Sequence, residues 1–188
     1  MTHRIILAGS GGQGVLTLGK LLAECGMAEG MHVTYFPSYG SEVRGGTAHC
    51  HVLLSAERIF SPLVEEATAL LMMNQASLDR FGAQLARGGL LVLNSSMASL
   101  KAPSRSWNVV EVPASDIARK LGDVRVANMV MLGALNGALG LVRRDRILEA
   151  LSLRLAGKAQ ALMPLNEQAL AQGETLACPS SGSRSVIG

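Results

Sequence analysis

The sequence predicts an α/β fold: three layers, α/β/α, built on a mixed, mostly parallel sheet. Three observations predict it. Short β-rich runs alternate with stretches of helical periodicity, and the first run ends in a glycine-rich turn. Two later runs, ATALLMM at 67–73 and GLLVLNS at 89–95, are apolar throughout, as expected of strands covered on both faces. A chain of 188 residues has the length of one domain, placed at 1–174, with the Ser/Gly-rich 175–188 as a flexible C-terminal tail.

Taken in order, RIILAG (4–9) is the first strand. Val15, Leu18, Leu21, Leu22 and Cys25 recur at helical spacing and carry a helix to about Glu29. HVTYFP (32–37) is a second strand stopped by Pro37, so the first 37 residues read as one β-α-β unit, a Rossmann-like start. TAHCHVLLS (47–55) and RIFSP (58–62), joined around Ala56-Glu57, read as an antiparallel hairpin, which makes the sheet mixed. Between the two apolar runs, Gln75–Leu85 reads as a helix ended by Gly88-Gly89. WNVVEVP (107–113) is another strand and Asp116–Leu121 a short helix; the rest is helical over 126–142, 143–156 and about 158–172.

Composition narrows the classes. The chain is 48% hydrophobic, 16% charged and 3% aromatic, with mean hydropathy +0.29. That excludes disorder, collagen-like repeats and coiled coil, and it falls below the roughly 25% charge of an average protein. A surface so poor in charge is either unusually neutral or covered, and we read the chain as a subunit. The net charge of +3 comes without a dense basic stripe or interleaved aromatics, so no nucleic acid is expected. Val126–Val142 carries no charge and touches the lower length limit of a membrane span. Asn128, Asn136 and three glycines make it a buried or interface helix instead, and no membrane association is expected. Gly133 and Gly137, four apart, let another backbone approach closely. Cys25, Cys50 and Cys178 form no CxxC and read as free thiols of a reducing, cytoplasmic protein, too few for a four-cysteine cluster. The N-terminus shows no signal-peptide apolar region of the needed length.

Two loops carry the chemistry. Gly9, Ser10, Gly11, Gly12, Gln13 and Gly14 satisfy GxGxxG between a strand and a helix, where open amides can meet a phosphate. The same glycines can equally serve close helix–strand packing. A dinucleotide site also wants an acid at the end of the second strand, and Tyr35-Phe36-Pro37 stands there. The second loop, Ser38, Tyr39, Gly40, Ser41, Glu42, Val43, Arg44, Gly45, Gly46, offers an acid, an arginine and a phenol at the carboxyl edge of the sheet. Arg44 beside two glycines suits a phosphate or carboxylate; a Glu42–Arg44 ion pair stiffening the loop is the competing reading. His49 and His51 share a strand face without a visible third metal ligand, so a satisfied strand face is favoured and no metal site is assigned. Asn74 and Gln75, at a strand end before a helix, offer uncharged amides to the same edge, unless Asn74 only caps the helix. No residue set has the arrangement of a catalytic centre.

These pieces resemble the gamma subunit, or gamma domain, of the 2-oxoacid:ferredoxin oxidoreductases. The matching motifs run in family order over about residues 4–173. They are GSGGQGV at 9–15, SYGSEVRGGTA at 38–48, FSP at 60–62, MNQ at 73–75, LxxGGLLVLNSS at 85–96, ANMVMLGAL at 127–135 and NEQAL at 166–170. The usual proline between Gly40 and Glu42 is Ser41 here. The resemblance implies a holoenzyme that converts a 2-oxoacid and CoA to acyl-CoA and carbon dioxide and passes electrons to ferredoxin. It implies alpha and beta partner subunits and a ferredoxin-like delta subunit. Thiamine diphosphate, Mg2+ and [4Fe-4S] clusters then reside on those partners, and this chain, inactive alone, helps form the CoA-access region. The cofactor-side residues would be Gly9, Gly11, Gly12, Gln13, Gly14, Ser38, Tyr39, Gly40, Glu42, Arg44, Gly45, Gly46, Asn74 and Gln75. The class resembled most closely, through MNQ and NSS, leans toward 2-oxoglutarate or branched-chain acids over pyruvate. Two other readings stay open: a stand-alone nucleotide-dependent oxidoreductase using the glycine loop, and a purely structural scaffold.

Overall fold

The computed structural model describes residues 2–38, 47–100, 106–155 and 157–177. Their elements are β1 (Thr2–Ser10), α1 (Val15–Ala28), β2 (His32–Ser38), β3 (Thr47–Ser55), β4 (Ala67–Met72), α2 (Gln75–Phe81), β5 (Leu85–Asn94), β6 (Asn108–Val112), α3 (Ala114–Leu121), α4 (Ala127–Leu139), α5 (Arg144–Arg154) and α6 (Met163–Ala177). The strands form one sheet in the order β2-β3-β1-β4-β5-β6. β1, β4, β5 and β6 are parallel, while β3 runs antiparallel to both of its neighbours.

The mixed sheet is as expected, but the hairpin is not where the sequence suggests. β3 pairs with β2 (Ser38↔His49) on one side and with β1 (Thr47↔Ser10) on the other. Both of its edges are taken, so residues 58–62 have no edge to join; they run as an irregular, mostly exposed segment through Pro62. The hairpin is β2–β3. It also splits the first β-α-β unit, because β3 lies between the parallel β1 and β2. Pro37 does not stop β2, which continues to Ser38; an edge strand tolerates a residue that cannot donate.

Other boundaries move for local reasons. α2 ends at Phe81 and passes through a 3-10 turn at 82–84, after which Leu85 already pairs with Ala67. Gly88, at φ 76°, therefore sits in the irregular start of β5 rather than ending a helix. α4 stops at Leu139 on the left-handed Gly140. α6 follows a 3-10 turn at 157–162 and runs on to the buried Ala177.

The two covering layers are unequal. α1, α3, α4, α5 and α6 pack on one face, with Leu18, Leu22, Val130, Leu135 and Leu170 against Ile5, Leu7, Val52 and Val92. The other face is covered by α2 and by segments around 59–64 and 98–100, through Val64, Leu78, Phe81 and Ala98. The uncharged α4 owes its neutrality to its own chain. A Cβ on Gly133 would meet the Leu170 carbonyl of α6, and one on Gly173 would meet the Val130 carbonyl of α4. Asn136, buried at the end of α4, exchanges hydrogen bonds with the backbone of Val142 (2.9 and 3.0 Å) and fixes the turn toward α5. Among the described residues, no helix is long and apolar enough to cross a membrane.

Candidate functional site

The chain leaves β1 through α1 on one face and leaves β4 through α2 on the other. The carboxyl ends of β1 and β4 are therefore the point at which the connections diverge, where open α/β sheets place their ligands. The glycine loop stands there. Its turn is closed by the Gln13 N–H donating to the Ser10 carbonyl (3.1 Å) and the Ser10 N–H donating to Gln13 Oε1 (2.7 Å). α1 begins at the left-handed Gly14 with no capping side chain and no acid in its first turn, so neither offsets its positive end. The four loop glycines divide the two roles. A Cβ on Gly9 would come within 2.7 Å of Val15, and one on Gly14 would strike the Asn128 amide, whereas Gly11 and Gly12 face open space.

Asn74 joins this loop. Its Oδ1 accepts the Ser77 N–H (2.9 Å) and so caps α2, while its Nδ2 donates to Ser10 Oγ (2.9 Å) and Gln13 Oε1 (3.0 Å). Gln75 points elsewhere, accepting from the Ser99 N–H and donating to Asp79. Ser38 lies two strands from β1, across β3. Tyr39, Gly40, Glu42, Arg44, Gly45 and Gly46 lie outside the described residues; Ser38 and Thr47, which flank them, stand at the same sheet edge.

Beside the glycine loop opens a cleft of about 290 Å³. Met73 and Ala127 are buried at its base, and the exposed Met97 and Val124 form its lips. Gln13, Ser115 and Asn128 supply uncharged polar walls, and Arg119 and Arg125 stand at the exposed rim. Each arginine is held by a carboxylate on its own turn: Arg119 by Asp116 (2.6 Å) and Arg125 by Asp123 (2.6 Å). The Ser96 hydroxyl and Arg119 keep the Asp116 carboxyl below its ordinary range, and hydrogen bonds from the Arg125 side chain and backbone do the same for Asp123. Both acids therefore stay ionised at neutral pH, leaving Arg119 Nε and Nη2 and Arg125 Nη1 without a bond to these acids. The buried Asn94 pins the base by donating to the Met73 carbonyl (3.1 Å) and Ser115 Oγ (2.9 Å). Met97, Ser115, Arg119, Arg125 and Asn128 were not legible as site residues, because they come from three separate segments with no common spacing.

Tyr35 weighs against a dinucleotide. Where a ribose-binding acid would stand, its hydroxyl donates to the Leu16 carbonyl (3.0 Å). His51 Nδ1 accepts the Val64 N–H (3.0 Å), and the His49 ring lies 4.7 Å from Phe81. Among the described residues, no group of three His, Cys, Asp or Glu side chains can hold a metal. Burial pushes the thiols of Cys25 and Cys50 up to about 11 and about 12, so both are neutral packing groups.

The family model for pyruvate ferredoxin/flavodoxin oxidoreductase matches residues 4–176. The chain belongs to this family. It is 42% identical to the ketoisovalerate oxidoreductase subunit VorA of Methanothermobacter thermautotrophicus over 90% of its own length and 35% of that protein's. It is 34% identical to the 2-oxoglutarate synthase subunit KorC of Methanothermobacter marburgensis, covering 76% of this chain and 80% of that one. The chain thus spans about a third of the length of the VorA proteins it matches. Among solved structures, the gamma subunit of a keto/oxoacid ferredoxin oxidoreductase from Geobacter sulfurreducens superposes with TM-score 0.79 at 29% identity, over 93% of this chain and 98% of that one. The 2-oxoglutarate:ferredoxin oxidoreductase of Magnetococcus marinus, solved with 2-oxoglutarate, coenzyme A and succinyl-CoA bound, shares the fold with TM-score 0.86 at 23% identity, over 94% of this chain and 31% of that one.

Proposed function

We propose that this member of the pyruvate ferredoxin/flavodoxin oxidoreductase family is the gamma subunit of a cytoplasmic, multi-subunit 2-oxoacid:ferredoxin oxidoreductase, and that its cleft receives CoA. The observation that carries the reading is the meeting, at one sheet edge, of an open glycine loop, two arginines and an apolar base. The guanidinium groups and the uncapped N-terminus of α1 suit phosphate oxygens, while Met73 and Met97 offer polarisable thioether surface to an adenine or pantetheine group.

The chemistry of carbon and electrons belongs to the partners. Thiamine diphosphate with Mg2+ on the partner subunits would supply the nucleophilic ylid and the electron sink that decarboxylation needs, and [4Fe-4S] clusters there, with a ferredoxin-like delta subunit, would carry single electrons to ferredoxin. This chain's part is to bind and orient the CoA anion, so it is inactive alone. The names of its relatives, ketoisovalerate and 2-oxoglutarate oxidoreductase subunits, favour a branched-chain or dicarboxylic 2-oxoacid, selected on the thiamine-bearing subunits.

The test is the complex assembled with its partners and assayed for CoA-dependent ferredoxin reduction. Arg119→Ala and Arg125→Ala, together with Arg44→Ala in the second loop, should each raise KM for CoA about fivefold or more, since each removes a charge-assisted hydrogen-bond donor for a phosphate. The effect should fall on KM rather than kcat, with assembly intact. Unchanged KM values in all three would leave this chain a scaffold.

A further inference from the structure

We infer that Asn74 is a positioning residue for the glycine loop, holding Gln13 and the turn around Gly12 at the mouth of the cleft, and is more than the cap of α2. The hydrogen bonds separate the two roles. Capping α2 uses only Oδ1, which accepts the Ser77 N–H (2.9 Å). Serine and aspartate cap a helix as well as asparagine does, so the cap alone does not call for an amide. What the amide adds is a donor nitrogen, and both of its hydrogens go to the loop: one to Ser10 Oγ (2.9 Å) and one to Gln13 Oε1 (3.0 Å).

Gln13 Oε1 is the hub of the loop. It takes a second hydrogen bond, 2.7 Å, from the Ser10 N–H across the turn. The side chain of Gln13 is thus folded back over its own backbone, and its Nε2 points to Met97 Sδ (3.4 Å) on the lip of the cleft. Asn74 is itself buried, 8% exposed, next to Met73, whose N–H donates to the Ala8 carbonyl (2.9 Å). The last rung between β1 and β4 therefore carries an amide clamp that sets the loop against the sheet.

An aspartate at 74 exposes the logic. It keeps the cap acceptor, but it brings a carboxylate oxygen against Gln13 Oε1. Gln13 must then withdraw or turn its amide over, and either move leaves the Ser10 N–H without its acceptor. Serine at 74 keeps the cap without charge and simply lacks the donors.

The inference rests on the proposed CoA role only for one of its two readouts, so the two can fail separately. The experiment uses the assembled complex carrying Asn74→Asp, Asn74→Ser or Gln13→Ala, the last of which breaks the partnership from the loop side and leaves the cap untouched. Amide hydrogen exchange should accelerate about tenfold over residues 10–14 in all three, with protection of 75–81 retained. KM for CoA should rise about fivefold, with a smaller change in kcat. Faster loop exchange with an unchanged KM would uphold the clamp and overturn the CoA reading. Unchanged loop exchange, or loss of protection confined to 75–81, would make Asn74 a cap only and overturn the inference.

Discussion

Gly173 of α6 faces Val130 of α4 so closely that a Cβ on the glycine would overlap the Val130 carbonyl oxygen and come within 2.8 Å of the Ala134 nitrogen. The contact is reciprocal, because Gly133 meets the Leu170 carbonyl in the same way. Two helix backbones touch here without side chains between them.

Gly173→Ala should therefore destabilise the chain by about 1–3 kcal/mol, the usual cost of overpacking, since the obstruction is backbone and cannot rotate away. Gly11→Ala, in open space, should cost far less. Denaturant unfolding followed by circular dichroism compares them. Equal midpoints would mean that α4 and α6 can part without penalty.

Gly14→Ala combines two insults. Its φ of 74° costs a non-glycine residue about 1–2 kcal/mol, and the new methyl would meet the Asn128 amide on the cleft wall. Gly12→Ala, at φ 88° but in open space, bears the strain alone. Both should lower the Tm and both should raise KM for CoA, Gly12→Ala by filling the open space over the loop and Gly14→Ala by displacing the Asn128 amide. A KM unchanged by Gly12→Ala would mean that no ligand enters the space over that residue.

Acid should destabilise the fold through its histidines. Burial holds His3, His49 and His51 below the ordinary histidine value of 6.5, with Arg80 and His51 adding to the effect at His49. Below about pH 6.5 the unfolded chain takes up protons that the folded chain refuses. Stability is full above that value and falls as pH drops toward the lowered folded values. His51 adds a geometric cost, since a proton on Nδ1 displaces the Val64 N–H. Tm measured at about pH 7.5 and 5.5 should fall, and His51→Asn, which keeps an acceptor but does not titrate, should reduce the fall. A slope unchanged by that substitution would place the acid sensitivity elsewhere.

Much of the fold was legible in residues 4–25. A β-rich run, a GxGxxG turn and apolar positions at helical spacing dictate strand, loop and helix wherever they occur, and they place the loop at the carboxyl end of β1. The apolar runs at 67–73 and 89–95 likewise predict buried strands, and both are. Pairing was less legible. RIFSP has strand-like composition, yet it is excluded because β3 spends both of its edges on β1 and β2, a choice made between segments distant in sequence.

The neutral run from 126 shows the same division. Its lack of charge signals burial, but composition has no means of naming what buries it. The tertiary structure names α6, some forty residues on, because glycines on both helices leave room there for backbone contact.

The sequence by itself determined the fold class, the place of the glycine loop and the family resemblance, since each depends on local periodicity or on contiguous motifs. Only the tertiary structure decided the cleft and the direction of the Asn74 amide. Residues 13, 73, 97, 119, 125 and 128 become neighbours through the crossing of sheet and helices. The partner of a hydrogen-bond donor is set by where the chain returns in space, which local sequence does not encode.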